Sequence, residues 1–295
     1  MDISLQEYRL SGAAGSSPIV VPLVGIVTAL IMSVVYAYVT IYSPIGGYIT
    51  ALFVVGFGFS VGVPTGMAAN LSKCRNPKLA GALGFLVGLF AMYSAWVLFT
   101  FVFLRRAGAG QDVVLTWEFL PRLFASPDAL WAFIKMINQE GWFSIAGATP
   151  KGTVLWIFWA IEAIFIIGLV TVVTYSTIDD EVFCETCRQW AETDGPLRLA
   201  LPDDEDVVPR LISGDITALH ELAAAEPGEY PHLIAELKHC AKCKQTATYQ
   251  LKFVELEAAD GEEAKETTKD LTTTLILDGE NWSKVNQLKG RKVEE

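Results

Sequence analysis

Four apolar runs constrain what this chain can fold into: Ile19 to Tyr42, Tyr48 to Ala69, Ala80 to Leu104 and Thr153 to Thr174. Each has at least 22 residues, and at about 1.5 Å of rise per residue that exceeds the roughly 30 Å hydrocarbon core of a bilayer. No Lys, Arg, His or Asp interrupts any of them. A soluble fold would need four long helices apolar on every side, so the runs read as membrane spans. The first begins behind an 18-residue lead carrying Asp2 and Glu7 and has no small-x-small cleavage pattern after it, which marks a retained anchor rather than a signal peptide.

Ser43 to Gly47 is rich in turn formers, so the first two spans are expected to form a tight hairpin. The next connector carries Lys73, Arg75 and Lys78 with no acid, which places it in the cytoplasm, and parity then places both termini there too. Arg105, Arg106 and Lys151, flanking the third connector, point the other way. That connector is too long for a bare loop. Ser126 as N-cap, Pro127 at the first helical position, and Leu130, Phe133, Ile134 and Ile137 at helical spacing predict a helix near 127–140. Gly141 ends it, and its apolar face lies in the membrane interface or against the bundle.

Within the spans, Gly58, Gly62 and Gly66 recur every four residues, and Ala80, Gly84 and Gly88 repeat that spacing in the third span. Faces without side chains let helices approach closely, so these two are expected to pack on each other. Pro64 adds a possible kink. Glu162 is the one carboxylate in any span. Its insertion costs about 3 kcal/mol, which the Leu, Ile, Val and Phe residues of its segment, at roughly 0.3 to 0.6 kcal/mol each, outweigh. It is expected to be neutral, bonded to a hydroxyl such as Ser94 or Thr100, or facing a wet cavity.

Charge separates the rest of the chain. Residues 179–295 hold thirteen Lys and Arg against twenty-six Asp and Glu, whereas residues 1–178 hold nine against seven. So acidic a segment repels phosphate, which argues against a nucleic-acid partner and against docking on anionic lipid. Here stand four of the five cysteines, as Cys184-x-x-Cys187 and Cys240-x-x-Cys243. Two such turns meeting in space supply the four tetrahedral ligands of a closed structural Zn²⁺ site. Disulfides would require an oxidising compartment, a redox dithiol would require a thioredoxin-like setting, and catalytic zinc would require an open ligand position. Cys74 stands alone, and His220, His232 and His239 are expected to lie at the surface or beside the site, with His239 a possible substitute ligand.

The two knuckles, with the alternating Ala247, Tyr249, Leu251 and Phe253 and the strand-like 271–277 after them, resemble a zinc ribbon. The resemblance implies zinc ligation by Cys184, Cys187, Cys240 and Cys243, with the acidic stretch 258–270 as a hairpin loop. Fifty-two residues separate the knuckles, against the usual 15 to 20 or so. In this insertion Asp215 is expected to cap a helix burying Ile216, Leu219, Leu222 and Ala223, and Pro231 to open a second helix using Leu233 and Leu237.

The expected architecture is mainly α: a cytoplasmic lead (1–18), a four-helix transmembrane bundle (19–175) and a small acidic α+β zinc-ribbon-like domain (179–295). No phosphate loop, dinucleotide fingerprint, metalloprotease helix or nucleophile elbow occurs, so nothing specific argues for an enzyme. The leading expectation is a multi-pass protein of a bacterial inner membrane, embedded in lipid, with a structural-zinc module that binds a cytoplasmic protein. Two alternatives are a small transporter or channel using Glu162 and the glycine-lined second span, and a membrane thiol oxidoreductase.

Overall fold

The computed structural model describes residues 5–43, 48–106, 117–144, 147–257, 264–279 and 281–285. The chain divides into two compact units, Ser11–Asp180 and a second formed by Met1–Leu10 with Glu181–Glu295. The hairpin connector 44–47, and 258–263 within the expected acidic loop, lie outside the described residues.

In the first unit, α1 (Ser17–Tyr42), α2 (Tyr48–Leu71), α3 (Pro77–Arg106) and α6 (Thr153–Asp179) are the long helices; α4 (Phe119–Phe124) and α5 (Pro127–Glu140) lie in the third connector. All four long helices are long and apolar enough to cross a membrane. α3 begins three residues before its apolar run, where Asn76 accepts from the Leu79 N–H at 3.0 Å, and α6 runs five residues past its own, to Asp179. Before α1, the chain pairs with the second connector: Arg75 N–H donates to Ala13 at 2.7 Å and Ser16 N–H to Ser72 at 3.1 Å. Gly15 makes this possible, with φ of +58° and room for a Cβ denied by the Ser72 carbonyl oxygen at 2.2 Å. Gly15→Ala is therefore expected to destabilise the protein by at least about 2 kcal/mol, from left-handed strain plus displacement of backbone. Thermal unfolding in detergent checks this.

The two glycine faces do not pack on each other. Both close on α6, whose stretch from Ile167 to Thr177 they clasp from two sides. A Cβ on Gly62 would meet Val170 Cα at 3.2 Å, and one on Gly66 the Thr177 hydroxyl at 2.5 Å. From α3, a Cβ on Gly84 would meet Thr174 at 2.8 Å, and one on Gly88 would meet Ile167 Cα at 3.0 Å. Gly58 faces Leu169. The reason is geometric: α6 offers β-branched side chains that fill a glycine groove, whereas two glycine faces together would leave a void. The glycine face of α2 that would line a transport path is thus filled.

α5 lies against the bundle: Leu130, Ile134 and Ile137 are buried among Val97, Leu98, Phe101 and Trp159, with Phe133 beside Phe103. Gly141 ends it as expected, its N–H donating to Ile137. Ser126 precedes it but turns its hydroxyl back to the Arg122 carbonyl and makes no cap bond.

The second unit is richer in strand than its sequence suggests. β1 (Phe183–Cys184) pairs with β2 (Gln189–Trp190). A six-stranded antiparallel sheet holds β3 (Glu192–Thr193), β4 (Leu197–Ala200), β5 (His232–His239), β6 (Ala247–Glu257), β7 (Lys265–Asp270) and β8 (Leu275–Leu277). The helix expected after Pro231 is strand β5. Leu233 and Leu237 fit a helical face, but Ala235 between them completes a period of two, and β6 pairs with it from His232↔Val254 to His239↔Ala247. Likewise Lys265–Asp270, expected as loop, is paired to β6; its signal is hidden because it is polar on both faces, with Lys269 bonded to Glu255 at 2.5 Å. Of 271–277 only the last three residues form strand, as Leu271 and Thr272 cross over by bonding to Leu251.

One face of the sheet buries Leu233, Ala235, Leu237, Ala247, Tyr249 and Leu251 under α7 (Val207–Ile212), a 3₁₀ turn (Ile216–Glu221) and a helical segment 281–285 contributing Trp282 and Val285. Asp215 caps as expected, accepting from Thr217 N–H at 3.1 Å, but what it opens is a single 3₁₀ stretch, and Ala223 is exposed. The part of the lead up to Leu10 belongs to this unit. Tyr8 N–H donates to Thr274 and Ile276 N–H to Gln6, so Glu7 forms an antiparallel bridge to Leu275 of β8.

Candidate metal centre

Each cysteine pair sits where a tight turn joins two strands. The β1–β2 hairpin places Cys184 opposite Gln189 and ends its turn with Arg188 in the left-handed region at φ +53°. The β5–β6 turn repeats the design: Lys244 N–H donates to the Cys240 carbonyl at 2.8 Å, Cys240 N–H donates to Thr246, and Lys244 has φ +55°. The two turns share the order Cys-x-x-Cys-basic-Gln.

Folding brings all four sulfurs within 4.8 Å of one another. Cys184 and Cys243 Sγ are 3.6 Å apart. Zinc–sulfur bonds of about 2.3 Å in a tetrahedron require sulfurs roughly 3.8 Å apart, whereas a disulfide requires about 2.05 Å. The spacing and the four-thiol donor set therefore fit a thiophilic divalent ion, and the four cysteines could hold one. Cys184 and Cys240 are buried and Cys187 and Cys243 half-buried. Gln189 Nε2 donates to Cys240 Sγ at 3.5 Å, linking the first turn to a sulfur of the second. Tyr8, from the lead, accepts the Phe183 N–H on its hydroxyl at 2.8 Å, beside Cys184.

Electrostatics favour a bound cation. Hydrogen bonding with Cys243, then desolvation and the remaining thiols, pushes Cys187 up to about 12. For Cys240, burial raises the pKa, but the Cys243 and Lys242 amides outweigh it and bring it to about 6. Crowded thiols cannot all ionise without a positive charge among them, and a divalent ion removes that obstacle.

His239 is not placed as a ligand. Its Nδ1 lies 3.0 Å from Asp194 Oδ2 and its ring stacks on Trp282 at 4.9 Å. His232, expected at the surface or beside the site, is buried, with Nδ1 2.8 Å from the Glu229 carbonyl. His220 is exposed. Cys74 is buried in the second connector.

In the helical unit, Glu162 is bonded to neither expected hydroxyl. Ser94 pairs with Ser33 at 2.8 Å and Thr100 bonds the Trp96 carbonyl. The donor to Glu162 is Tyr36 on α1, at 2.5 Å. Nothing in the sequence marks Tyr36 among the aromatic residues of the spans. Tyr8 carries no signal either, because its role depends on the lead joining the sheet.

Fold and site together define a class: a protein with four membrane-crossing-length apolar helices and a strand-rich domain with a possible metal-binding cysteine cluster. Compared with protein-family models, curated proteins and solved structures, the chain matches none.

Proposed function

We propose that this chain is a multi-pass membrane protein whose zinc-ribbon-like domain is a structural-zinc module, presenting an acidic surface to a cytoplasmic protein partner. One observation carries the reading: the converging donor set is four thiols, which satisfies a tetrahedral ion completely and leaves no position for substrate. The centre then builds a surface instead of performing a reaction. With twice as many acids as bases in residues 179–295, that surface attracts basic protein faces and repels anionic lipid and nucleic acid.

Both termini lie in the cytoplasm in this reading. The bridge between Glu7 and Leu275 supports a shared compartment, since only an even number of crossings allows the lead to join the last strand. Lys73, Arg75 and Lys78 assign that side. Arg105 and Arg106, which oppose this assignment, have local work. Arg105 lies over the rings of Phe101 and Trp117, and Arg106 lies over Tyr42 and donates to the Ile41 carbonyl at the end of α1.

The test is affinity capture from native membranes, comparing the parent with a Cys184→Ala, Cys240→Ala variant. Partners with basic surfaces are expected to be retained by the parent, to elute with salt and to be lost with the variant. An identical partner set from both proteins would remove the binding role.

A further inference from the structure

The third connector does not stay at the ends of the long helices. Ser33 of α1 and Ser94 of α3 lie 2.8 Å apart, so the two helices are level there, nine residues or about 14 Å along the axis from the end of α1 at Tyr42. At that level the Tyr93 hydroxyl donates to the Phe124 carbonyl at 2.6 Å, and the two rings meet edge to face at 6.0 Å. Phe124 is the last residue of α4. The chain before it touches α3 nearer the helix end, where Trp117 lies against the Phe101 ring at 5.0 Å. The chain after it returns: Phe133 lies against Phe103 at 5.7 Å, and Asn138 Nδ2 donates at 2.9 Å to the carbonyl of Gly152, just before α6. α4 therefore descends beside α3 from the level of Phe101 toward that of Tyr93, eight residues or about 12 Å deeper, and α5 climbs back. The pair is a re-entrant hairpin with its turn at Ala125 and Ser126.

Non-helical backbone at membrane depth needs protein or water around it, and so does a charge. Inside the chain the backbone is served: Tyr93 covers the Phe124 carbonyl and the Ser126 hydroxyl covers that of Arg122. The charges are not. Arg122, Ala125 and Asp128, around the turn, are exposed, and Trp131 and Met136 of α5 are half exposed. Among the described residues, neither the Arg122 guanidinium nor the Asp128 carboxylate has a hydrogen bond or ion pair. Hydrocarbon is a poor cover for an arginine and an aspartate together.

We propose that this hairpin is the contact surface for a second copy of the chain, packed about a twofold axis so that Arg122 of each copy pairs with Asp128 of the other. The inference rests on the reading of the four long helices as membrane spans. Both signs of charge stand within seven residues of one turn, so the turn is complementary to itself, and a twofold contact forms two ion pairs at once. A partner surface of one sign would leave either the arginine or the aspartate unmatched. Trp131 and Met136 supply the apolar part of the contact, as these residue types do in protein interfaces.

The experiment uses the full chain in membranes. Two differently tagged copies are co-expressed, each with p-benzoylphenylalanine in place of Ala125, and irradiated. A cross-linked product carrying both tags is expected, with the linked peptide inside the third connector. Linkage to another protein alone, to lipid alone or to nothing overturns the proposal. Charge exchange is the second arm, with the dimer fraction read by native mass spectrometry from nanodiscs. Arg122→Asp and Asp128→Arg are each expected to weaken association at least about thirtyfold, and the variant carrying both exchanges to associate as the parent does. A monomeric parent, a dimer indifferent to the single exchanges, or a loss that the double exchange does not rescue overturns the pairing. Alkaline carbonate extraction keeps the two readings apart. Release of the protein without detergent refutes the membrane spans themselves, whereas a membrane-retained monomer refutes the dimer contact alone.

Discussion

Replacing Cys184 and Cys240 by serine is expected to abolish stoichiometric metal binding and to melt both cysteine turns, while the six-stranded sheet stays folded. The loss is large because structural zinc in small peptides supplies about 10 to 16 kcal/mol at neutral pH, and two of four ligands would be gone. It is local because the domain has a core of its own: Leu233, Leu237, Tyr249, Leu251, Leu211 and Leu219 are buried in a cluster that includes none of the four cysteines. Each such side chain contributes roughly 1.5 to 3 kcal/mol by leaving water. The fold thus has a core of its own, and the four cysteines that could hold a metal ion lie outside it. Metal analysis with amide hydrogen exchange on the full chain checks this. Amides at 183–190 and 240–246 should lose protection, while those at 233–237 and 249–251 keep it. A metal-free parent, or a sheet that melts with the turns, would refute the expectation.

A Gly62→Leu, Gly88→Leu double variant is expected to release α6 from its clasp and cost several kcal/mol, about 1 to 3 per overpacked site. In both places the obstacle is a Cα, at 3.2 Å from the Gly62 Cβ position and 3.0 Å from that of Gly88, so no rotamer change relieves it. Helix association in lipid rests on such close packing, because apolar burial gives no advantage over lipid tails. Gly56→Leu and Gly168→Leu are the controls: a Cβ at either meets nothing within 4 Å, and both variants should unfold with the parent. Thermal unfolding of the four purified proteins in one detergent separates the outcomes. Equal stability of all four would show that the glycine faces do not hold the bundle.

The spans, the helix of the third connector and the grouping of cysteines were legible because each depends on local pattern. Hydropathy fixes which helices are long and apolar enough to cross a membrane, the spacing of Leu130, Ile134 and Ile137 fixes a helical face, and Cys-x-x-Cys fixes two thiols on one turn. Where one pattern served two structures, as at Leu233, Ala235 and Leu237, the sequence left the choice open and the available edge of β6 decided it. Lys265–Asp270 shows the opposite case, a strand without apolar alternation, held by backbone pairing and charge.

By itself, then, the sequence determined which residues avoid water and which carry thiols able to hold a metal, since both are properties of side chains one at a time. Only tertiary structure decided which residue meets which: that both glycine faces grip α6, that Tyr36 reaches Glu162, that the lead joins β8 and sets Tyr8 beside Cys184. Those pairings depend on shape and on free hydrogen-bonding edges far apart along the chain, and no local spacing encodes them.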